Sequence, residues 1–254
     1  MLARIDLGDL RVAVVRKQIK NLHLSVLPPD GRVRIAAPPH MKLDTIRVFV
    51  ISRLAWIRAQ QMKMQAQERE TPRQYLDRES HHVWGRRCLL QRLERDAPPT
   101  VGLKRNRLVM QVRPGAEEAA CRRLLEAWYR AQLRAALRRI VTKWQAEMRV
   151  SVGRVFVQRM KTKWGSCNPA TGAIRLNTDL AKKPPECLEY IVVHEMAHLL
   201  EPTHNDRFIG LMNRFLPQWQ HVRATLNRLP VRHEEWDPGR ADDDPPHRAR
   251  QHRA

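Results

Sequence analysis

The sequence contains no run of about 18 apolar residues, the length that a membrane-spanning helix requires. This absence argues against a transmembrane helix. A signal peptide needs an unbroken apolar stretch, but the start of the chain carries charges at Arg4, Asp6, Asp9 and Arg11. We therefore expect a cytoplasmic protein without a secretion signal and without a membrane partner.

Cysteine is scarce, and no two cysteines form a C-x-x-C pair. Cys88, Cys121, Cys167 and Cys187 are widely separated. This spacing is not typical of a disulfide framework or of a zinc-thiolate site, and it favours reduced thiols in a reducing compartment.

Acidic residues are outnumbered by basic ones, 26 to 47, which gives a formal net charge of +21. Because the last 24 residues hold five arginines and six acids, residues 1–230 carry about +22. The basic region is therefore the folded part of the chain. Such a charge is typical of proteins that bind anionic substrates or contact nucleic acid non-specifically. Lysine contributes only 10 of the 47 cations, and an arginine excess of this kind also arises from codon usage.

The hydrophobic fraction of 43% is sufficient for a buried core, and the patterns predict an α+β fold. Residues 1–114 are expected to form a small, mostly β unit with one helix, followed by a long helix over 117–148 without Pro or Gly. Residues 115–230 are expected to form the second domain, and 231–254 a disordered charged tail. Strands are predicted within 10–36, 83–94, 107–113, 153–159 and 173–178. No internal repeat is evident.

The strongest chemical motif is H-E-x-x-H, formed by His194, Glu195 and His198. Two histidines four residues apart share one helix face, about 5–6 Å apart at Cβ, so both rings can reach one metal ion. Glu195 is rotated about 100° from His194, which lets it contact an attacking water without occupying the metal. This pattern is typical of zinc hydrolases.

A catalytic zinc site needs a third protein ligand. Pro202 should end the helix at Glu201, and the turn would return His204 to the metal six residues after His198. We favour His204. The competing candidates are the later glutamates Glu201, Glu234 and Glu235, and His221.

Four segments carry a family resemblance. They are M-K-T-K-W-G-S-C at 160–167, I-R-L-N at 174–177, Y-I-V-V-H-E-M-A-H at 190–198 and H-N-D-R-F at 204–208. In order and spacing, the chain resembles the YgjP-like metallopeptidase family, a relative of the SprT-like zincins, over about residues 8–228. The resemblance implies a zincin-like metal-binding catalytic domain.

The same resemblance implies that His194, His198 and His204 hold one Zn²⁺ per chain and that Glu195 is the general base. Trp164, Ser166 and Arg207 are candidates for the cleft or for substrate binding. Arg207, Tyr190 and His221 are each possible oxyanion donors, and the sequence does not choose among them. Cys167 is expected to be a buried thiol.

The leading hypothesis is a zinc metallopeptidase, with two alternatives. A zinc site with a nearby carboxylate can also hydrolyse nucleotide phosphoanhydrides, and the positive charge would attract such anions. A SprT-like, DNA-associated factor that processes proteins is the second alternative. The possible DNA-facing cations around the cleft are Lys161, Lys163, Arg175, Lys182 and Lys183. No motif for sequence-specific recognition supports it.

Overall fold

The computed structural model describes residues 3–27, 31–66, 68–160 and 163–231. Over these residues the chain divides into two compact units, each with its own apolar core. The first unit runs to Glu70 and includes Pro230 and Val231, and the second comprises Thr71–Leu229. The mixture of helices and small sheets confirms the predicted α+β class. Among the described helices, none combines the length and the apolar character needed to cross a bilayer.

The first unit is a four-stranded sheet covered by two helices. Its strands are β1 Ala3–Leu7, β2 Leu10–Arg16, β3 His23–Leu27 and β4 Arg32–Ala37, and its helices are α1 Leu43–Ile51 and α2 Leu54–Ala66. The sequence predicted one helix here. Helix α1 ends at Ile51, and the hydroxyl of its C-cap residue Ser52 donates to the Phe49 carbonyl at 2.8 Å. Ile46, Val50 and Ile57 pack on the sheet.

The second unit begins with another four-stranded sheet and a long helix. The strands are β5 Ser80–Val83, β6 Arg86–Glu94, β7 Thr100–Lys104 and β8 Arg107–Val112, and the helix is α3 Glu118–Met148. Leu133, Leu137 and Trp144 recur at helical spacing and are buried, as the periodicity predicted, whereas the predicted Leu124 is only partly buried and its neighbour Leu125 is in the core. Arg149 ends α3 in the left-handed conformation, with φ of 55°.

The two four-stranded sheets have the same topology. Their orders are β1-β2-β4-β3 and β5-β6-β8-β7, with antiparallel outer pairs and a parallel central pair in both. A proline and then a helix follow the last strand of each, at Pro38 and Pro114. The sequence shows no internal repeat, but the structure uses the same sheet topology twice. Strand pairing depends on alternating burial rather than on residue identity, so a shared topology does not require a sequence repeat.

The rest of the second unit consists of a three-stranded sheet, a short 3-10 helix and three helices. The strands are β9 Val155–Gln158, β10 Gly165–Asn168 and β11 Ala173–Asn177, in the order β10-β11-β9. The 3-10 helix spans Thr178–Lys182, followed by α4 Pro185–Leu200, α5 Asp206–Phe215 and α6 Trp219–Arg228. Helix α4 carries the H-E-x-x-H motif beside β10.

The predicted domain boundary at residue 114 closely follows β8, whereas the two compact units of the structure divide after Glu70. The limits of a catalytic domain over 115–230 stay a prediction. Val231 forms a parallel bridge with Arg69, and residues 232–254 of the predicted tail lie outside the described residues.

Candidate metal centre

Helix α4 is held rigidly, because most of its surface is buried. Val192, Val193 and Met196 are fully buried around the motif. The β5–β6 turn supports the start of the helix: the N–H groups of Trp84 and Gly85 donate to the carbonyls of Ala181 and Lys182 at 2.8 and 3.1 Å. Gly85 has a φ of +77°, and a Cβ there would lie 2.9 Å from Pro184 Cγ. Glycine is therefore required at this turn.

The chain turns sharply after α4 and brings His204 back to the helix. Glu201 is extended, and its Oε1 accepts hydrogen bonds from the Thr203 N–H at 3.2 Å and hydroxyl at 2.7 Å. Asn205 then caps α5 by accepting from the Phe208 N–H at 3.0 Å. As a result, the His204 ring lies 5.0 Å from His194 and 4.6 Å from His198.

The Phe208 ring packs against all three histidine rings. Its ring centroid lies 5.0, 4.7 and 4.7 Å from those of His194, His198 and His204. Phe208 is only 3% exposed, so the rings are positioned by packing as well as by the backbone. The sequence marked Phe208 only as part of the family pattern.

The three histidines fit a zinc ion. One ring nitrogen from each lies within 4.8 Å of the others, and Nε2 of His194 is 3.1 Å from Nε2 of His204. Nitrogens that share a tetrahedral zinc at about 2.05 Å lie about 3.3 Å apart. Nδ1 of His198 donates to the Glu201 carbonyl at 3.2 Å, which leaves Nε2 free to bind a metal. Within the described part of the chain, Nδ1 of His194 is buried without a partner.

The environment keeps the histidines neutral, as metal binding requires. Burial, and then the neighbouring His198 and His204, lower the pKa of His194 to about 3. Burial is also the main cause that lowers the pKa of His198 and of His204. Three neutral imidazoles in contact are a donor set typical of zinc.

Glu195 lies on the β10 side of α4 and is 5% exposed. Burial raises its pKa to about 8, and the cation of Lys163 opposes the shift. Burial, followed by the charge of Glu195, raises the pKa of the Cys167 thiol to about 12. Cys167 is half-buried rather than fully buried, and it stays a protonated thiol at neutral pH.

Gly165, the first residue of β10, lets the strand approach the carboxylate. A Cβ at Gly165 would lie 2.5 Å from Oε1 of Glu195 and 2.8 Å from Cγ2 of Ile191. Backbone and carboxylate can be this close only because position 165 has no side chain. This role of Gly165 was not predicted, because the contact joins elements about 30 residues apart.

We predict that Gly165→Ala displaces Glu195 and lowers turnover while the protein still binds zinc. The control is Gly102→Ala in β7, where a Cβ would meet nothing within 4 Å. A misplacement of about 1 Å at a reacting group costs roughly 10²-fold in rate. Steady-state kinetics and metal analysis of both variants test this. Equal activity of the two variants would contradict the role of Gly165.

Asn177 fixes the loop that leads into β10. Its Nδ2 donates to the carbonyls of Met160 at 2.7 Å and Lys163 at 2.9 Å, and its backbone N–H donates to the Trp164 carbonyl at 2.9 Å. The ammonium of Lys183 lies 5.7 Å from the Trp164 ring. Through these hydrogen bonds, Asn177 connects β11 to the segment beside Glu195.

A family model for the YgjP-like metallopeptidase domain matches residues 20–229. The chain belongs to the YgjP-like family. Membership confirms the expected family and makes the chain a metallopeptidase-like hydrolase, with a metal implied. No curated protein has a sequence that matches this YgjP-like chain.

Two solved structures are similar to part of this YgjP-like chain. One is the metallopeptidase zymogen of Methanocaldococcus jannaschii jannalysin, at 19% identity, 37% of this chain, 92% of that chain and a TM-score of 0.31. The other is the metallopeptidase zymogen of Pyrococcus abyssi abylysin, at 19% identity, 39% of this chain, 99% of that chain and a TM-score of 0.32.

The other candidate residues of this YgjP-like chain have different surroundings. Trp164 directly precedes β10 and Ser166 lies within it, next to α4; both residues are half-buried. Arg207 is 73% exposed, and its Nη1 lies 4.0 Å from Oε2 of Glu201. Tyr190 is buried, with its ring 5.9 Å from that of His194, while His221 is exposed on α6. A contact of any of them with substrate stays a prediction.

Most of the cations expected around the cleft are paired, buried or close to an aromatic ring. Lys182 pairs with Asp179 at 3.1 Å, Lys183 is 4% exposed, and the Arg175 guanidinium lies 5.5 Å from the Phe156 ring. Lys161 lies outside the described residues. The described cations therefore do not form an open basic strip here, and nucleic-acid contact stays a prediction.

Proposed function

We propose that this chain is a zinc-dependent peptidase in which His194, His198 and His204 hold one Zn²⁺ and Glu195 is the general base. The observation that carries the proposal is the His cluster, whose nitrogens lie within 4.8 Å of one another, with Glu195 adjacent on the same helix. Three protein ligands leave the open fourth position of a catalytic zinc site.

A bound zinc ion would act as a Lewis acid and lower the pKa of water towards about 7. The carboxylate of Glu195 would take a proton from the attacking water and return it to the nitrogen of the leaving amine. Its buried position raises its pKa to about 8, so it holds the transferred proton readily. The Lys163 cation opposes this shift and favours the ionised form that accepts the proton.

An extended polypeptide suits this site better than a nucleotide. Among the described strands, β10 pairs only with β11, so its other edge offers backbone groups beside Glu195. An extended peptide can add to such an edge through main-chain hydrogen bonds. The start of α4 is not a phosphate-binding helix N-terminus, because Pro184 and Pro185 lack backbone N–H donors.

Removal of the metal tests the proposal. We expect 1,10-phenanthroline to abolish cleavage of an unfolded polypeptide and about one equivalent of zinc to restore it. The non-chelating 1,7-phenanthroline should leave the activity intact, which controls for binding of the aromatic compound itself. Full cleavage by protein that metal analysis shows to be metal-free would refute a metal-dependent mechanism.

A further inference from the structure

We infer that Arg223 is a catalytic residue of this centre, and that its guanidinium binds the negative oxygen that forms on the scissile carbonyl. The inference rests on the proposed peptidase function and adds a residue that sequence reasoning did not consider. The sequence candidates for this role were Arg207, Tyr190 and His221.

Aromatic stacking brings Arg223 to the histidine cluster. Helix α6 packs on α4 through Trp219 and Tyr190, whose rings are nearly parallel at 14° and 6.4 Å apart. The Tyr190 ring in turn meets His194 edge-on at 5.9 Å. Arg223 is four residues after Trp219 and thus on the same helix face, with its Cζ 6.0 Å from the Trp219 ring.

The charge of Arg223 acts on the centre itself. After burial, its cation is the main cause that lowers the pKa of His204, and it also contributes to the lowered pKa of His194. Burial raises the pKa of Tyr190, and the Arg223 cation opposes that rise. The Arg223 cation therefore acts on groups from both α4 and the following turn. This electrostatic effect agrees with the place of Arg223 beside the stacked rings of Trp219 and Tyr190.

Arg223 has no carboxylate partner among the described residues, and it is exposed. Arg207, by comparison, lies beside the Glu201 carboxylate. A cation close to His194 and His204, two ligands for a divalent cation, is electrostatically unfavourable unless an anion lies between them. The oxygen of the scissile carbonyl becomes anionic during peptide hydrolysis, and the planar guanidinium is suited to bind it.

The test compares Arg223→Gln and Arg223→Lys with Arg228→Gln, a matched control at the exposed end of the same helix. On an uncharged peptide, we expect Arg223→Gln to lower kcat by roughly 10²–10³-fold with little change in KM. Arg223→Lys should recover part of kcat, and the control should match the unchanged protein. Equal kcat for Arg223→Gln and Arg228→Gln would overturn the inference.

A second readout needs no peptide turnover. Inorganic phosphate is titrated into the cobalt-substituted protein, and the visible spectrum reports its binding. We expect Arg223→Gln to weaken phosphate binding at least 10-fold relative to Arg228→Gln, and equal affinity would overturn the inference. If the unchanged protein cleaves no peptide yet Arg223→Gln still loses phosphate affinity, the peptidase proposal fails and Arg223 remains the anion-binding residue. Should the Gln variant not fold, Arg223→Met, which keeps the stem packed on Trp219, replaces it.

Discussion

Glu195→Gln should abolish turnover while the protein keeps its metal. Glutamine has the shape of the glutamate side chain but cannot take up the proton of the attacking water, and general bases contribute roughly 10²–10⁴-fold to kcat. Glu195 lies next to His194 in sequence but is not part of the His cluster, so zinc binding should persist. The amide also removes a buried carboxyl of raised pKa, which should not destabilise the fold.

The matched control is Glu186→Gln, the same change at an exposed position in the first turn of α4. This variant should retain the kinetics of the unchanged protein. Metal analysis of both variants should give the same zinc content. A Glu195→Gln variant with the kcat of the control would exclude Glu195 from the mechanism.

His204→Ala should weaken zinc binding by roughly 10²–10³-fold, since about 10–16 kcal/mol of zinc affinity is shared among about four ligands. The variant leaves only His194 and His198 of the cluster. The Asn205 cap and the turn at Thr203 do not depend on the imidazole, so the fold should persist. Competition with a chromogenic chelator measures the zinc affinity.

His221→Ala distinguishes the alternatives that the sequence left open. His221 is exposed on α6 and is not one of the three clustered histidines, so its removal should leave zinc affinity unchanged. If His204→Ala kept full affinity and His221→Ala lost it, the assignment of the third ligand would be reversed.

Local sequence patterns predicted the chemical core of the site. The spacing of His194 and His198 needs only helical geometry, and Pro202 indicates the turn that returns His204. The structure brings these three rings together as that reasoning expected. Their binding of zinc and the role of Glu195 stay predictions.

The supporting contacts depend on pairing across long stretches of chain and were not predictable in the same way. β10 lies between the predicted strands 153–159 and 173–178 and was not predicted itself; Gly-Ser-Cys-Asn has little strand propensity, and β10 forms by pairing with β11. Gly165, Asn177 and Arg223 act on residues brought to them by folding. Short strands β1 and β7 were missed for the same reason.

A substrate panel on zinc-loaded protein distinguishes a peptidase from a nucleotide hydrolase. Unfolded polypeptide and nucleoside triphosphates are incubated separately, with Glu195→Gln as the blank for each. Mass spectrometry detects new peptide termini, and a phosphate assay detects phosphoanhydride hydrolysis. We expect peptide cleavage that is absent from the blank, with no release of phosphate. Phosphate release without peptide cleavage would refute the proposed peptidase function.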